Sequence, residues 1–192
     1  VTSCGLTCQG GYHEGVFTFV SGNLALDFAG TVKARSTTFE DALTTPAALA
    51  DWIAAANLLD DPPPSDAGTL ARAVRLREAA YRSALAAAHG HAFDDADRRT
   101  VNEFAVAAPP SISLGTDGTV VRSGDADAAL AAVARSAIEL LGSGALVKEC
   151  GRTVCTRLYV DTSRGGSRRW CDMTVCGNRA KSAAFRARHG GP

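Results

Sequence analysis

Hydrophobic positions along this chain recur mostly at helical spacing. Thr45-Pro46 reads as a helix start, with Thr45 as cap and Pro46 at the first helical position, and places Leu49, Trp52, Ile53 and Ala56 on one face. The longest periodic segment runs from Asp66 to Ala88, where Leu70, Val74, Arg77, Tyr81 and Leu85 fall three and four apart with alanines between them. Gly90 is its stop signal. Asp94 opens a helix through Phe104, ended before Pro109-Pro110. Asp125 opens another, carrying Leu130, Val133, Ile138 and Leu141 and closed by Gly142.

Other stretches break this rhythm. Three successive prolines make Asp60 to Pro64 a loop. Ser111 to Val121 alternates around Thr116-Asp117-Gly118, which predicts a small hairpin. Val16 to Val20 is a short strand or an extended lead-in, and Leu24 to Phe28 is a helical turn or a strand; one short apolar run does not decide. The pattern predicts about four helices and one hairpin, an α-rich body. No internal repeat is apparent.

The chain has 192 residues, 46% hydrophobic and 21% charged, enough for one packed domain plus a small appendage. No apolar run reaches the roughly 18–20 residues of a membrane span. Val1 to Gly15 has neither the cationic nor the apolar region of a secretory signal. The expectation is a cytoplasmic chain with no membrane partner.

Net charge is zero, yet unevenly distributed. From Lys148 onward ten cations face three acids, giving the tail +7 and the preceding residues −7. Either the tail is drawn to polyanions or the two parts attract each other.

The cysteines fall on the same boundary. None lies between Cys8 and Cys150, and four are packed as Cys150-x4-Cys155 and Cys171-x4-Cys176, fifteen residues apart. In a reducing cytosol this spacing reads as tetrahedral Zn2+ held by thiolates, with two disulfides or unrelated free thiols as alternatives. A tail this short buries too little apolar surface to fold alone. A structural zinc supplies on the order of 10–16 kcal/mol. Arg157 to Val160 and Arg168 to Trp170 have strand character across the turn Thr162 to Gly166, and a helix follows from Asn178 to Arg188. That order resembles treble-clef modules, with the last ligand, Cys176, at a helix start. Cys4, Cys8 and His13 form either a second metal cluster or a disordered terminus.

The string Trp170-Cys171-Asp172-Met173-Thr174-Val175-Cys176-Gly177-Asn178-Arg179-Ala180-Lys181 resembles the CGNR zinc finger, as do Asp161 to Arg164 and Ser167 to Trp170. Upstream, Gly22-Asn-Leu-Ala-Leu-Asp-Phe28 and Ala134 to Leu141 resemble the ABATE domain, which accompanies this finger in bacterial proteins described as stress-induced transcription regulators. The resemblance implies that Cys150, Cys155, Cys171 and Cys176 ligate zinc and that the finger binds DNA. Gly30 stands where the Leu-Asp-Phe-x-Asn-Thr pattern has asparagine.

The fold class expected is therefore mainly α: a flexible extension over 1–15, a helical ABATE-like domain with a small β-hairpin over 16–144, and a treble-clef-like zinc finger of hairpin and helix over 145–192. On the last helix Arg179 and Arg186 share one row, Lys181 and Arg188 a nearly opposite one. The alanines between them are small enough to sit against the zinc hairpin. These cations, with Arg168 and Arg169, are candidate phosphate contacts. Asn178 and Arg179 are candidates for base readout or, alternatively, for helix capping by Asn178 and for a structural bond from Arg179 to a hairpin carbonyl or to Asp161. Adjacent strand positions point oppositely, so at most one of Arg168 and Arg169 faces a ligand. Trp170 is expected to cover the metal.

No nucleophile motif or phosphate-cradling glycine loop accompanies His13, His89 or His91, so an enzyme is not expected. Asp27 is either bonded inside the body or a contact for a small effector. The reading is a zinc-dependent regulator of double-stranded DNA whose body senses an effector or forms a homodimer. The alternative is a protein-interaction module with a purely structural zinc.

Overall fold

Each helix of the body is opened by a side chain that accepts its first free amides. The computed structural model describes residues 17–189, so Cys4, Cys8, His13 and the expected extension lie outside it. Asn23 caps α1 (Leu24–Ala29) through Ala25 and Leu26, and Thr45 caps α2 (Pro46–Ala55) through Ala48. Asp66, Asp94 and Asp125 do the same for α3 (Ala67–Ala88), α4 (Asp95–Ala105) and α5 (Ala126–Gly142). The lead-in before Ser21 is neither strand nor helix, and the apolar run after Gly22 is helical.

Among the described residues there are also three two-stranded antiparallel pairs. β1 (Val32–Lys33) joins β2 (Glu40–Asp41), and β3 (Ser111–Leu114) joins β4 (Val120–Ser123) in the expected hairpin. β5 (Val147–Glu149) pairs with β6 (Leu158–Val160), Val147 opposite Val160 and Glu149 opposite Leu158. The last helix is α6 (Asn178–His189). No described helix is long and apolar enough to cross a membrane.

The main core joins Phe28 of α1, Leu49, Trp52 and Ile53 of α2, Leu76 of α3 and Leu130 and Val133 of α5. The inward face of α3 differs from expectation. Leu70, Val74, Tyr81 and Leu85 are only half-buried, whereas Ala73, Leu76, Ala80 and Ala84 are fully buried. Alanine at these positions lets α3 lie close against α1 and α5, and the larger side chains are left at the flanks. Ile138 is likewise outside the core, 40% exposed.

A second cluster, Leu26, Ala84 and Leu140 with Val147 and Leu158, seats the tail hairpin on the body. That hairpin is not the expected one. β6 pairs backward with β5, and the knuckle from Cys150 to Cys155 is their connection. Arg168 to Trp170 forms no strand, and Arg164–Gly166 is a tight 3₁₀ turn using the positive φ of Gly165 and Gly166. Val147 and Leu158 bury apolar surface on the body, which decides the partner of β6. The tail has strands and a helix consistent with a zinc-finger-like fold, but the treble-clef arrangement rested on the hairpin that is absent.

Candidate metal centre

Four sulfurs converge at the foot of the tail. Cys150 directly follows β5, Cys155 precedes β6, and Cys171 leads into a π-helical turn, Met173–Gly177, that contains Cys176 and launches α6. Asp172 caps that turn, accepting the Val175 amide at 2.8 Å. All four Sγ atoms lie within 4.8 Å of one another. Cys155 to Cys171 is 3.8 Å, and Cys171 to Cys176 is 3.6 Å. Zn–S bonds of about 2.3 Å in a tetrahedron set the sulfurs about 3.8 Å apart, so the donor set fits that ion. All four are free cysteines, which removes the disulfide alternative.

Thiols this close cannot all ionise independently. Hydrogen bonding from Cys155 and then Cys171 holds the Cys150 thiol well below the ordinary range. Donating to Cys150 pushes the Cys155 and Cys171 thiols upward. A divalent cation replaces those shared protons and favours thiolate at each sulfur. Tyr159, fully buried, and Trp170 pack over the sulfurs. Burial pushes the Tyr159 phenol up to about 12, and its hydroxyl donates to the Arg168 carbonyl at 2.7 Å.

Arg168 and Lys148 hold this shell in place. Arg168 lies 4.5 Å over the Tyr159 ring. Its guanidinium donates to the carbonyls of Trp170 (2.9 Å), Val20 (3.3 Å), Val160 (3.4 Å) and Cys171. Lys148 pairs with Asp161 at 2.8 Å and donates to the carbonyls of Gly166 and Arg168. The Lys148 hydrogen bond, with that of Ser163, holds the Asp161 carboxyl well below the usual carboxylate range. Asp161 is therefore the partner of Lys148, not of Arg179.

The other candidate residues separate from Arg168. Arg169 is exposed, 5.2 Å over the Trp170 ring. Arg179, Lys181, Arg186 and Arg188 are all exposed on α6, and the exposed Asn178 donates to the Thr174 carbonyl at 2.9 Å. Arg179 and Arg186 line a concavity of about 710 Å³ together with Arg152 from the first knuckle. Sequence reasoning passed over Arg152, although its place between two ligands fixes it at the metal site. Lys181 and Arg188 lie outside that concavity. Among the described residues α6 packs chiefly on the turn that launches it. On the arc between the cation rows, Ala180 is half-buried and Ala183 exposed.

Asp27 lies inside the body. It accepts the amides of Val20 (3.0 Å) and Ser21 (2.9 Å) and sits 3.8 Å from Arg157. Burial raises its pKa, against those hydrogen bonds and the arginine.

Residues 147–189 match the profile of the CGNR zinc finger. Residues 22–144 match the ABATE profile, described as "putative stress-induced transcription regulator". A comparison with curated proteins gave no match. The larger match spans well over half of the sequence, and the cysteine cluster sits within the smaller: the chain belongs to the ABATE family and ends in a CGNR finger.

Proposed function

We propose that the chain is a zinc-dependent transcription regulator whose α6 meets double-stranded DNA. The observation that carries this reading is the last helix itself. It has twelve residues, four of them Arg or Lys, no acid, and little packing beyond its own first turn. A helix of that length, with so little packing against the rest of the protein, is marginal in water and gains stability from a partner. Phosphates supply that partner: with the cations on two opposed rows, a groove brings both rows against backbone walls.

Bound zinc would replace the thiol protons and lock both knuckles together. The chain's own residues then set the launch angle of α6: Asp172 caps its turn, Arg168 ties Cys171 to Val20, and Tyr159 and Trp170 exclude water. Arg152, Arg179 and Arg186 take phosphates, with Lys181 and Arg188 on the facing wall. The body senses an effector or pairs two copies.

Anisotropy of a labelled random duplex tests this. Five cations on phosphates give a slope of log K against log salt of about −4.5, and a chelator abolishes retention. A slope near zero with no binding at low salt would instead support an interaction module. The −7 charge of the residues before Lys148 is the observation in favour of that second reading.

A further inference from the structure

Ser83 sits in the C-terminal third of α3, 3% exposed, and its Oγ has no hydrogen-bond partner among the described residues. A helical serine usually bonds the carbonyl one turn back, and a buried hydroxyl without a partner is rare. Ser83 lines a cavity of about 230 Å³ between α3, α4 and α5. The walls are Phe93, Val101, Ile138 and Leu141, with Arg98 and Asn102 as the other polar groups. Burial orients it: Ser83 and Val101 are closed off at 3% each, while Phe93 and Ile138 are about 40% exposed at the opening. Arg98 is exposed there as well, held by Asp95 through Nε at 3.3 Å and Nη2 at 3.1 Å, with Nη1 unpartnered among the described residues.

We propose that this cavity binds a small carboxylic acid with an apolar body and a second polar group at its far end. The carboxylate meets Arg98 and Asn102, the body lies among the four apolar side chains, and the far group completes the Ser83 hydroxyl. The volume lies below the roughly 300 Å³ at which drug-sized pockets begin, so the ligand is of fragment size. A trapped water is the poorer partner for Ser83, because an apolar wall offers it few further bonds. This site moves the effector position away from Asp27, whose carboxylate is already engaged by two amides. It goes beyond the DNA reading and is tested without DNA, so either can fail alone.

The probes are 4-hydroxyphenylacetate, phenylacetate, which lacks the far hydroxyl, and 4-ethylphenol, which lacks the carboxylate. Each is titrated into the full chain while the methyl resonances of Val101, Ile138 and Leu141 are followed. Saturable shifts at those methyls are expected, tightest for 4-hydroxyphenylacetate and weaker by about five-fold or more when either end is removed. Ser83→Ala should erase only its advantage over phenylacetate, and Arg98→Gln only its advantage over 4-ethylphenol. No saturation by about 10 mM, a concentration at which fragments of this size are expected to bind, overturns the proposal. So does equal binding of all three probes, or a Ser83→Ala chain that still prefers the hydroxyl.

Discussion

The guanidinium of Arg157, from β5–β6 of the finger, fills the space that a side chain on Gly30 of the body would need. A Cβ there would lie 2.7 Å from Arg157 Cζ. Arg157 Nη2 donates to the Gly30 carbonyl and Nη1 to that of Thr18, each at 3.1 Å. Gly30 has φ −74°, a conformation open to any residue, so room for the arginine, and not backbone freedom, is what glycine supplies. The small residue at position 30 thus admits a contact between the finger and the body.

Gly30→Ala should therefore displace Arg157 and cost about 2–3 kcal/mol, from overpacking plus buried carbonyls left without donors. Urea unfolding should show a lower midpoint at unchanged slope. Gly142→Ala is the control: a Cβ there meets nothing within 4 Å, and the change should be neutral or stabilising by about 0.5–1 kcal/mol. Equal loss in both would refute the role given to Arg157.

What the sequence made legible divides along a physical line. Thr45, Asp66, Asp94 and Asp125 act within three residues of themselves, and each cap was readable. The four-cysteine cluster was readable too, because a metal constrains spacing. The partner of β6 depends on Leu26, Ala84 and Leu140, far away in sequence, and it was misread. Arg157 and Arg168 illustrate the same limit. Charge alone places an arginine at the surface, yet both turn inward to carbonyls of the lead-in from Thr18 to Ser21, which local pattern does not register.

The body carries a pH dependence of its own at Asp41. Arg77, 1% exposed, donates to both Asp41 oxygens, at 2.7 and 2.9 Å. Burial would raise the Asp41 pKa, but the hydrogen bonds from Arg77 and the Leu43 amide outweigh it, and the net value lies below the ordinary 3.8. The folded state thus binds this proton less readily than the unfolded chain does. The pair's contribution is fully present above pH 3.8 and is lost as pH falls through the depressed folded value. Asp41→Asn should cost about 3 kcal/mol at neutral pH, because Arg77 stays buried with its charge less well compensated. Plotted against pH, the stability difference between wild type and variant should shrink below that point. A constant difference would exclude linkage through Asp41.

Removing one sulfur tests the metal centre. Cys171 lies close to both Cys155 and Cys176, so Cys171→Ser should empty the site of zinc. With on the order of 10–16 kcal/mol of binding energy lost, residues 147–189 should lose amide-exchange protection. The main core around Trp52, Leu76 and Leu130 involves no tail residue and should keep its protection. Metal analysis and hydrogen exchange on the same samples check this. A metal-free tail that stays protected would mean that Val147 and Leu158 hold it without help.

Arg186 and Arg168 make opposite predictions although both are tail arginines. Arg186 is exposed on the concavity with Arg152 and Arg179, and its charge is the property that matters there. Arg152→Gln and Arg186→Gln should each weaken duplex binding across all sequences and flatten the salt slope by about 0.9, with the melting temperature unchanged. Arg168→Gln removes donors from the Val160, Trp170, Cys171 and Val20 carbonyls. The Trp170 and Cys171 carbonyls border the second knuckle, so the cost should appear as lower thermal stability and faster zinc loss to a chelator. Once the variant is saturated with zinc, its salt slope should match wild type, since the guanidinium was never turned toward phosphate. A flattened slope in zinc-saturated Arg168→Gln would place that side chain on the DNA after all.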